Sequence, residues 1–206
     1  IYVIHEGVNI DCFSKSRQEG LSFPEGVSQP YILFVGVLYK HRNVDRLIQA
    51  FAWAKQNFAI PHQLVIVGND PSFQRGQMDR LRNLAQQLGI NNEVKFLGWV
   101  PRCMIPNLYS RADLFIHLSA AETFGLPILE AMARGTPIIV SDAPGPREIF
   151  HIEEDFASEF IEIDYGLMVN FRDEKKCALN LGFAIANSLK NIKSFKERAN
   201  KMKDFV

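Results

Sequence analysis

The chain has 206 residues, 47% of them hydrophobic, and 23 acidic side chains against 23 basic ones, so its formal net charge is zero. That content supports one substantial core, and the even charge balance argues against a nucleic-acid protein, which carries a basic excess. Cys12, Cys103 and Cys177 stand far apart, which excludes a disulfide framework or a Cys-x-x-Cys metal site and favours a reducing compartment. No uncharged apolar run reaches the roughly 18 residues of a membrane span. The opening Ile-Tyr-Val-Ile has no signal features and no methionine, and reads as part of a longer protein.

Strand-like and helical runs alternate from residue 31 onward. Residues 31–35 form a short apolar run closed by Gly36, and residues 44–57 carry a helical stripe at Leu47, Ile48, Phe51 and Ala54. A strand at 63–67 stops at Gly68; Met78, Leu81, Leu84, Ala85 and Leu88 recur at helical spacing; a strand at 93–97 stops at Gly98. Residues 113–118 and 137–141 are further strands. Apolar strands alternating with helices predict an α/β fold, a Rossmann-like doubly wound and mostly parallel sheet with helices on both faces. Ligands of such sheets bind outside the carboxyl ends of the strands, where these glycines lie.

Beyond residue 148 the pattern loosens. Residues 148–164 are acidic and read as a solvated connection, with short strands at 160–163 and 166–169 and a helix over 173–190. In the tail, Leu189, Ile192, Phe195, Ala199 and Met202 form an apolar stripe among lysines. Such a basic amphipathic helix either packs on a core or makes peripheral contact with an anionic membrane. The expected localisation is therefore cytoplasmic, with contact at the inner face of a membrane as the alternative.

The most informative stretch runs from Glu122 to Glu130, Glu-Thr-Phe-Gly-Leu-Pro-Ile-Leu-Glu, with two carboxylates eight positions apart. Pro127 suits the first position of a helix, because its fixed φ fits and its missing N–H would be unpaired there. Gly135 supplies a left-handed residue to end that helix. Phe124, Gly125 and Leu126 therefore form a tight loop at a helix N-terminus, where free N–H groups and the helix dipole favour a phosphate. Helical side chains lean back toward the N-terminus, so Glu130 reaches this mouth, and Glu122 reaches it from the strand side. Carboxylates accept hydrogen bonds only. A ligand with a phosphate in the middle and hydroxyls at both ends suits all three parts, and a sugar nucleotide has that form.

This motif resembles the donor-site signature of the family-4 retaining glycosyltransferases, and other stretches match that family in the same order. Residues 3–9, Val-Ile-His-Glu-Gly-Val-Asn, resemble the segment that crosses between the family's two domains. Residues 32–51, Ile-Leu-Phe-Val-Gly-Val-Leu-Tyr-Lys-His-Arg-Asn-Val-Asp-Arg-Leu-Ile-Gln-Ala-Phe, resemble the first strand, phosphate loop and helix of its donor domain. Residues 94–100, 108–113 and 135–141 fit as well. The resemblance implies the C-terminal half of a GT-B fold. Residues 1–30 would be the interdomain crossover segment and 31–190 the nucleotide-sugar (donor) binding domain. Residues 191–206 would form a C-terminal amphipathic helix at an incomplete end of the fold.

The activity so implied is that of a glycosyltransferase of the hexosyltransferase type in carbohydrate biosynthesis, moving a sugar from a nucleoside diphosphate sugar to an acceptor with retention. Its partner would be the missing N-terminal acceptor domain of the same protein, without which the fragment would be inactive. No cofactor, metal or nucleic acid is expected. By the same resemblance Glu122 and Arg42 are the catalytic candidates. Glu130 would hold the ribose hydroxyls, and Glu122 would lie near the donor sugar. Phe124, Gly125 and Leu126 would offer backbone N–H groups to sugar and phosphate. Gly36 and Arg42 would belong to the phosphate loop, and Gly98, Trp99 and Val100 would lie near the base. The chain departs from the family at one point. Arginine after the strand-ending glycine and lysine five residues later are usual there, whereas this chain has Val37 and Arg42. Both arginine and lysine bind phosphate, but a planar fork replaces a point charge.

Simpler roles stand beside these. Glu130 has the spacing to pair with Arg134 one turn on, and Arg42 could be a surface charge. His5 and His117 read first as core histidines, although His117, at a strand end, also has the position of a cleft residue. Trp99 fits either a base or the core. A nucleotide-sugar binding or regulatory module without turnover is the rival function, with a GT-B-like sugar-nucleotide epimerase behind it.

Overall fold

In the computed structural model, which describes residues 23–71, 75–122, 124–171 and 176–202, the sheet has seven strands. They are β1 (Tyr31–Val35), β2 (Gln63–Val67), β3 (Val94–Gly98), β4 (Leu114–His117), β5 (Ile138–Ser141), β6 (Phe160–Ile163) and β7 (Gly166–Val169). Helices α1 (Val44–Phe58), α2 (Gln77–Gln87), α3 (Ile105–Arg111), α4 (Leu126–Ala133), α5 (Pro144–Ile149), α6 (Cys177–Lys190) and α7 (Ile192–Met202) surround it. The strand order is β3-β2-β1-β4-β5-β7-β6; every pairing is parallel except the β6–β7 hairpin. This is the α/β, mostly parallel, Rossmann-like sheet expected from the alternation.

Successive residues of a strand face opposite sides of the sheet. In β1, Ile32 and Phe34 join the core under α1 and α6, while Tyr31 and Leu33 join the core under α3 and α4. The stripe Leu47, Ile48, Phe51 and Ala54 of α1 is buried as its spacing requires. On α6, a side chain at Gly182 would lie 2.5 Å from Trp53, so glycine lets the two helices close on that ring.

The chain winds outward from β1 through β2 to β3, then returns to place β4 on the other side of β1. The order reverses between β1 and β4, the position at which doubly wound sheets form a ligand crevice outside the carboxyl ends of their strands. The rim beside it is drawn tight. Gly68, at φ +138°, brings β2 so near the end of β1 that a Cβ would lie 1.8 Å from Gly36 O.

The C-terminal third is more ordered than its composition suggested. A short helix, α5, opens the acidic stretch, because Pro144 and Pro146 fit a first turn. The acidic residues there are partly paired: Arg147 meets Glu154 O and Asp155, and Arg198 on α7 meets Glu162. The tail breaks at Asn191 into α6 and α7. Phe195 and Ala199, the centre of the tail stripe, are buried in the core, and Lys196 binds Asp113. No helix among the described residues is long and apolar enough to cross a membrane. His5, Cys12, Thr123 and the crossover match at 3–9 lie outside the described residues.

Candidate functional site

Three hydrogen bonds tie the loop after β1 to the loop after β4 across the crevice. Ala120 N donates to His41 O at 2.8 Å and Asn43 Nδ2 donates to Leu118 O at 2.7 Å. Arg42 Nη1 donates to Glu122 Oε2, and the same nitrogen lies 3.1 Å from His117 Nε2. Asn43 has φ 54° and makes no side-chain cap for α1. Its amide is engaged with the facing loop instead. Lys40 and His41 stay exposed on the same 3₁₀ turn, with His41 stacked on Tyr39 at 5.1 Å.

Glu122 Oε2 also receives His117 Nε2 at 2.8 Å. His117 ends β4 and is fully buried. Burial lowers its pKa, with the Arg42 charge adding to that and the Glu122 hydrogen bond opposing it. A neutral imidazole carries one N–H. Facing a carboxylate oxygen, that proton must sit on Nε2. The 3.1 Å approach of Arg42 to Nε2 is then a contact between two donors that share one acceptor. His117 Nδ1 is buried without a hydrogen-bond partner among the described residues. The Glu122 carboxyl is held down to about 2, first by the His117 hydrogen bond, then by the charges and the Arg42 hydrogen bond, against a desolvation cost. Its backbone is fixed as well. Gly145 N donates to Glu122 O at 3.2 Å, and a Cβ at Gly145 would lie 2.8 Å from that oxygen.

Helix α4 starts at Leu126 behind Gly125, whose φ of +94° and near contact with Ile128 Cδ1 favour glycine. Pro127 is therefore the second helical residue, one place later than its chemistry suggested. Glu130 forms a separate cluster. Its Oε1 accepts from Arg102 Nη2 at 3.0 Å and its Oε2 from Tyr109 OH at 3.2 Å. The partner is Arg102, from the 3₁₀ turn after β3, rather than Arg134 one turn on. Burial raises the Glu130 pKa, and Arg102 and Tyr109 only partly offset it. Burial together with the Glu130 charge pushes the Tyr109 hydroxyl well above its ordinary value.

The remaining sequence candidates lie on this same rim. Gly36 and Gly98 end β1 and β3, and the backbone links Gly36 N to Val67 O and Gly68 N to Gly98 O. Trp99 is 72% exposed, so it is not core. Val100 and Phe124 are half-buried. Val37 is 42% exposed and belongs to no packed layer.

The sequence pointed to none of Arg102, Tyr109 and Asn43 as site residues, and it offered His117 first as a core histidine, with a cleft position as the alternative. His117 did leave a trace, as the polar residue that closes the apolar run Leu114, Phe115, Ile116. Arg102 left none, because its partner is 28 residues away.

A family model described as glycosyl transferases group 1 matches residues 19–202. The chain belongs to this family. An uncharacterized glycosyltransferase of Methanocaldococcus jannaschii is 35% identical over 160 residues, which cover 74% of this chain and 39% of that relative. The chain thus spans about two fifths of that relative's length. The fold is that of Anabaena HepE, solved in complex with UDP: TM-score 0.72, 24% identity, 98% of this chain and 52% of HepE covered. It is also that of the C-terminal domain of the group 1 glycosyl transferase LpcC from Francisella tularensis: TM-score 0.69, 20% identity, 95% of this chain and 96% of that domain covered. The glycosyltransferase architecture of the GT-B type expected from the sequence is thereby met.

Proposed function

We propose that these 206 residues are the donor-binding half of a retaining glycosyltransferase, which takes a nucleoside diphosphate sugar and presents it to an acceptor held elsewhere in the full protein. The observation that carries this is the crevice at the strand-order reversal. Arg42 from the β1 loop and Glu122 from the β4 loop meet there, in the place where doubly wound sheets bind nucleotides. HepE, of the same fold, is described with UDP bound, and the close match in length to the LpcC C-terminal domain supports the assignment to that half.

The residues divide by chemistry. Arg42 and the start of α4 offer positive charge to the diphosphate, and stabilising the charge that grows on a leaving diphosphate is this half's part in catalysis. No metal ion is needed in that role. Glu130 accepts the ribose hydroxyls once Arg102 moves aside. Trp99 and Val100 lie on the base side, and Phe124 and Gly125 on the sugar side. Acceptor positioning belongs to the missing N-terminal half, so the fragment alone binds a donor and transfers no sugar.

The test is thermal stabilisation by a panel of UDP, GDP and ADP sugars. A ligand at 100 times its Kd adds about 2.7 kcal/mol. No stabilisation by any of the three sets would refute donor binding, and acceptor-dependent transfer by the 206 residues alone would refute the division into halves.

A further inference from the structure

Arginine and carboxylate prefer to pair through two parallel hydrogen bonds. In this crevice they do not. Arg42 reaches Glu122 through one nitrogen, Nη1, and meets one oxygen, Oε2. Arg42 Nε is buried with no hydrogen-bond partner among the described residues. The second donor on Oε2, His117 Nε2, accounts for this. His117 is fully buried, so it cannot itself touch a ligand, and its position is fixed by the end of β4. It pins the carboxylate from below.

We propose that His117 is a positioning residue: its Nε2–H holds Glu122 so that Arg42 commits a single nitrogen, Nη1, to the carboxylate and keeps Nη2 for the diphosphate of the donor. The inference rests on the donor-site reading and deepens it. Without His117, Glu122 turns to face Arg42 squarely and forms the two-bond pair. The N–H groups meant for phosphate are then occupied, and an incoming diphosphate has to break a stronger pair. Glu122 thereby acts on the donor through Arg42. The bare, buried Nδ1 fits this role, because a neutral imidazole with its one proton on Nε2 leaves Nδ1 without one.

The experiment has a ligand-free arm and a ligand arm. Nitrogen-15 spectroscopy of the imidazole in the parent chain is expected to show the neutral Nε2–H tautomer at neutral pH. The Nδ1–H tautomer or an imidazolium would overturn the proposal whether or not a nucleotide binds. Calorimetry with UDP, GDP and ADP, and with the matching nucleosides, then compares the parent with His117→Leu and His117→Gln. The leucine variant should lose about tenfold in affinity for the best diphosphate and nothing for its nucleoside. Glutamine, whose amide can stand where Nε2–H stood, should recover most of that loss. In a Glu122→Gln background, His117→Leu should change nothing further.

Equal losses in the leucine and glutamine variants, or an undiminished loss in the Glu122→Gln background, would make His117 a packing residue and overturn the proposal. If His117→Leu fails to fold, the glutamine variant and the double variant with Glu122→Gln still decide. If none of the diphosphates binds the parent, the donor-site reading fails by itself, and the proposed use of Arg42 Nη2 fails with it.

Discussion

Glu122 and Glu130 each meet one arginine and one further donor, yet their surroundings shift their pKa values in opposite directions. Glu122 sits between a buried histidine and an arginine that is only 20% exposed, and its pKa falls to about 2. Glu130 is as deeply buried, but its arginine, Arg102, is 77% exposed, and desolvation wins, so its pKa rises. Water screens an exposed partner, while a partner in the interior acts at a lower dielectric. One carboxylate is locked into the architecture of the crevice. The other is desolvated and covered by a removable side chain, a state suited to accepting new hydrogen bonds from a ligand.

The largest effect should come from the removable side. Glu130→Ala is expected to weaken nucleoside diphosphate binding by about 1.5–3 kcal/mol, the size of a hydrogen bond to a charged group. Calorimetry on the folded variant checks this. An unchanged Kd would mean that Glu130 serves only to anchor Arg102 and Tyr109.

The locked side should show in stability instead. A carboxyl with a depressed folded pKa stabilises above its unfolded value, and that stability is lost as pH falls through the folded one. The unfolded value for glutamate is about 4.3, and the folded one for Glu122 is about 2. Glu122→Gln should therefore cost roughly 2 kcal/mol at neutral pH, allowing for solvent screening, and the cost should fade between those limits. Denaturant melts at neutral and acid pH measure it. A cost that stays constant through that window would show that the Arg42 and His117 contacts do not depend on the charge.

Much of the fold was legible because its signals are local. β1 and β2 fall where the apolar runs and their closing glycines put them, β6 and β7 fall on the short strand runs read at 160–163 and 166–169, and the stripe of α1 is buried as spaced. The short helix α5 was missed because six residues give too little periodicity to read. At the site, Glu122 and Arg42 were visible because each sits at a loop next to a helix start, and Glu130 because it lies about one turn into the helix that follows. Their pairings were not. His117 reaches Glu122 through a turn, Arg102 reaches Glu130 from a neighbouring loop, and Asn43 gives up its capping role to bind Leu118 O. Contacts made across the crevice depend on the order of strands, and nothing in the local pattern encodes them.

Glu130 carries a second, opposite prediction. Its raised pKa means that the folded state binds the proton more tightly, so between the unfolded value and the raised one stability falls as pH rises, and above it the cost is fully present. Glu130→Gln removes that cost. The unliganded variant should melt higher at neutral pH, although it binds nucleotide less well. At a pH below the unfolded value the gain should vanish. A variant that melts lower at neutral pH would show that the Arg102 pair outweighs desolvation.

The smallest effect concerns the place where the chain lacks the family's usual arginine. Val37 follows β1 on the crevice rim and is 42% exposed, so an arginine there displaces no core atoms. Val37→Arg should change unliganded stability by less than about 0.5 kcal/mol. It adds a cation beside Arg42, free of the Glu122 pair, so diphosphate affinity should rise while nucleoside affinity stays put. Because the new charge is exposed, the gain should be modest at about 0.15 M salt and shrink further as salt increases. The comparison of the two glutamates sharpens this. If Arg42 is held by Glu122 so tightly that it contributes little to phosphate, the new arginine becomes the dominant cation and most of the salt dependence of binding moves to it. If Arg42 already supplies the charge, the variant adds only a second, weaker contact. A variant that binds diphosphate no better than the parent would place the phosphates away from the β1 loop, toward the start of α4.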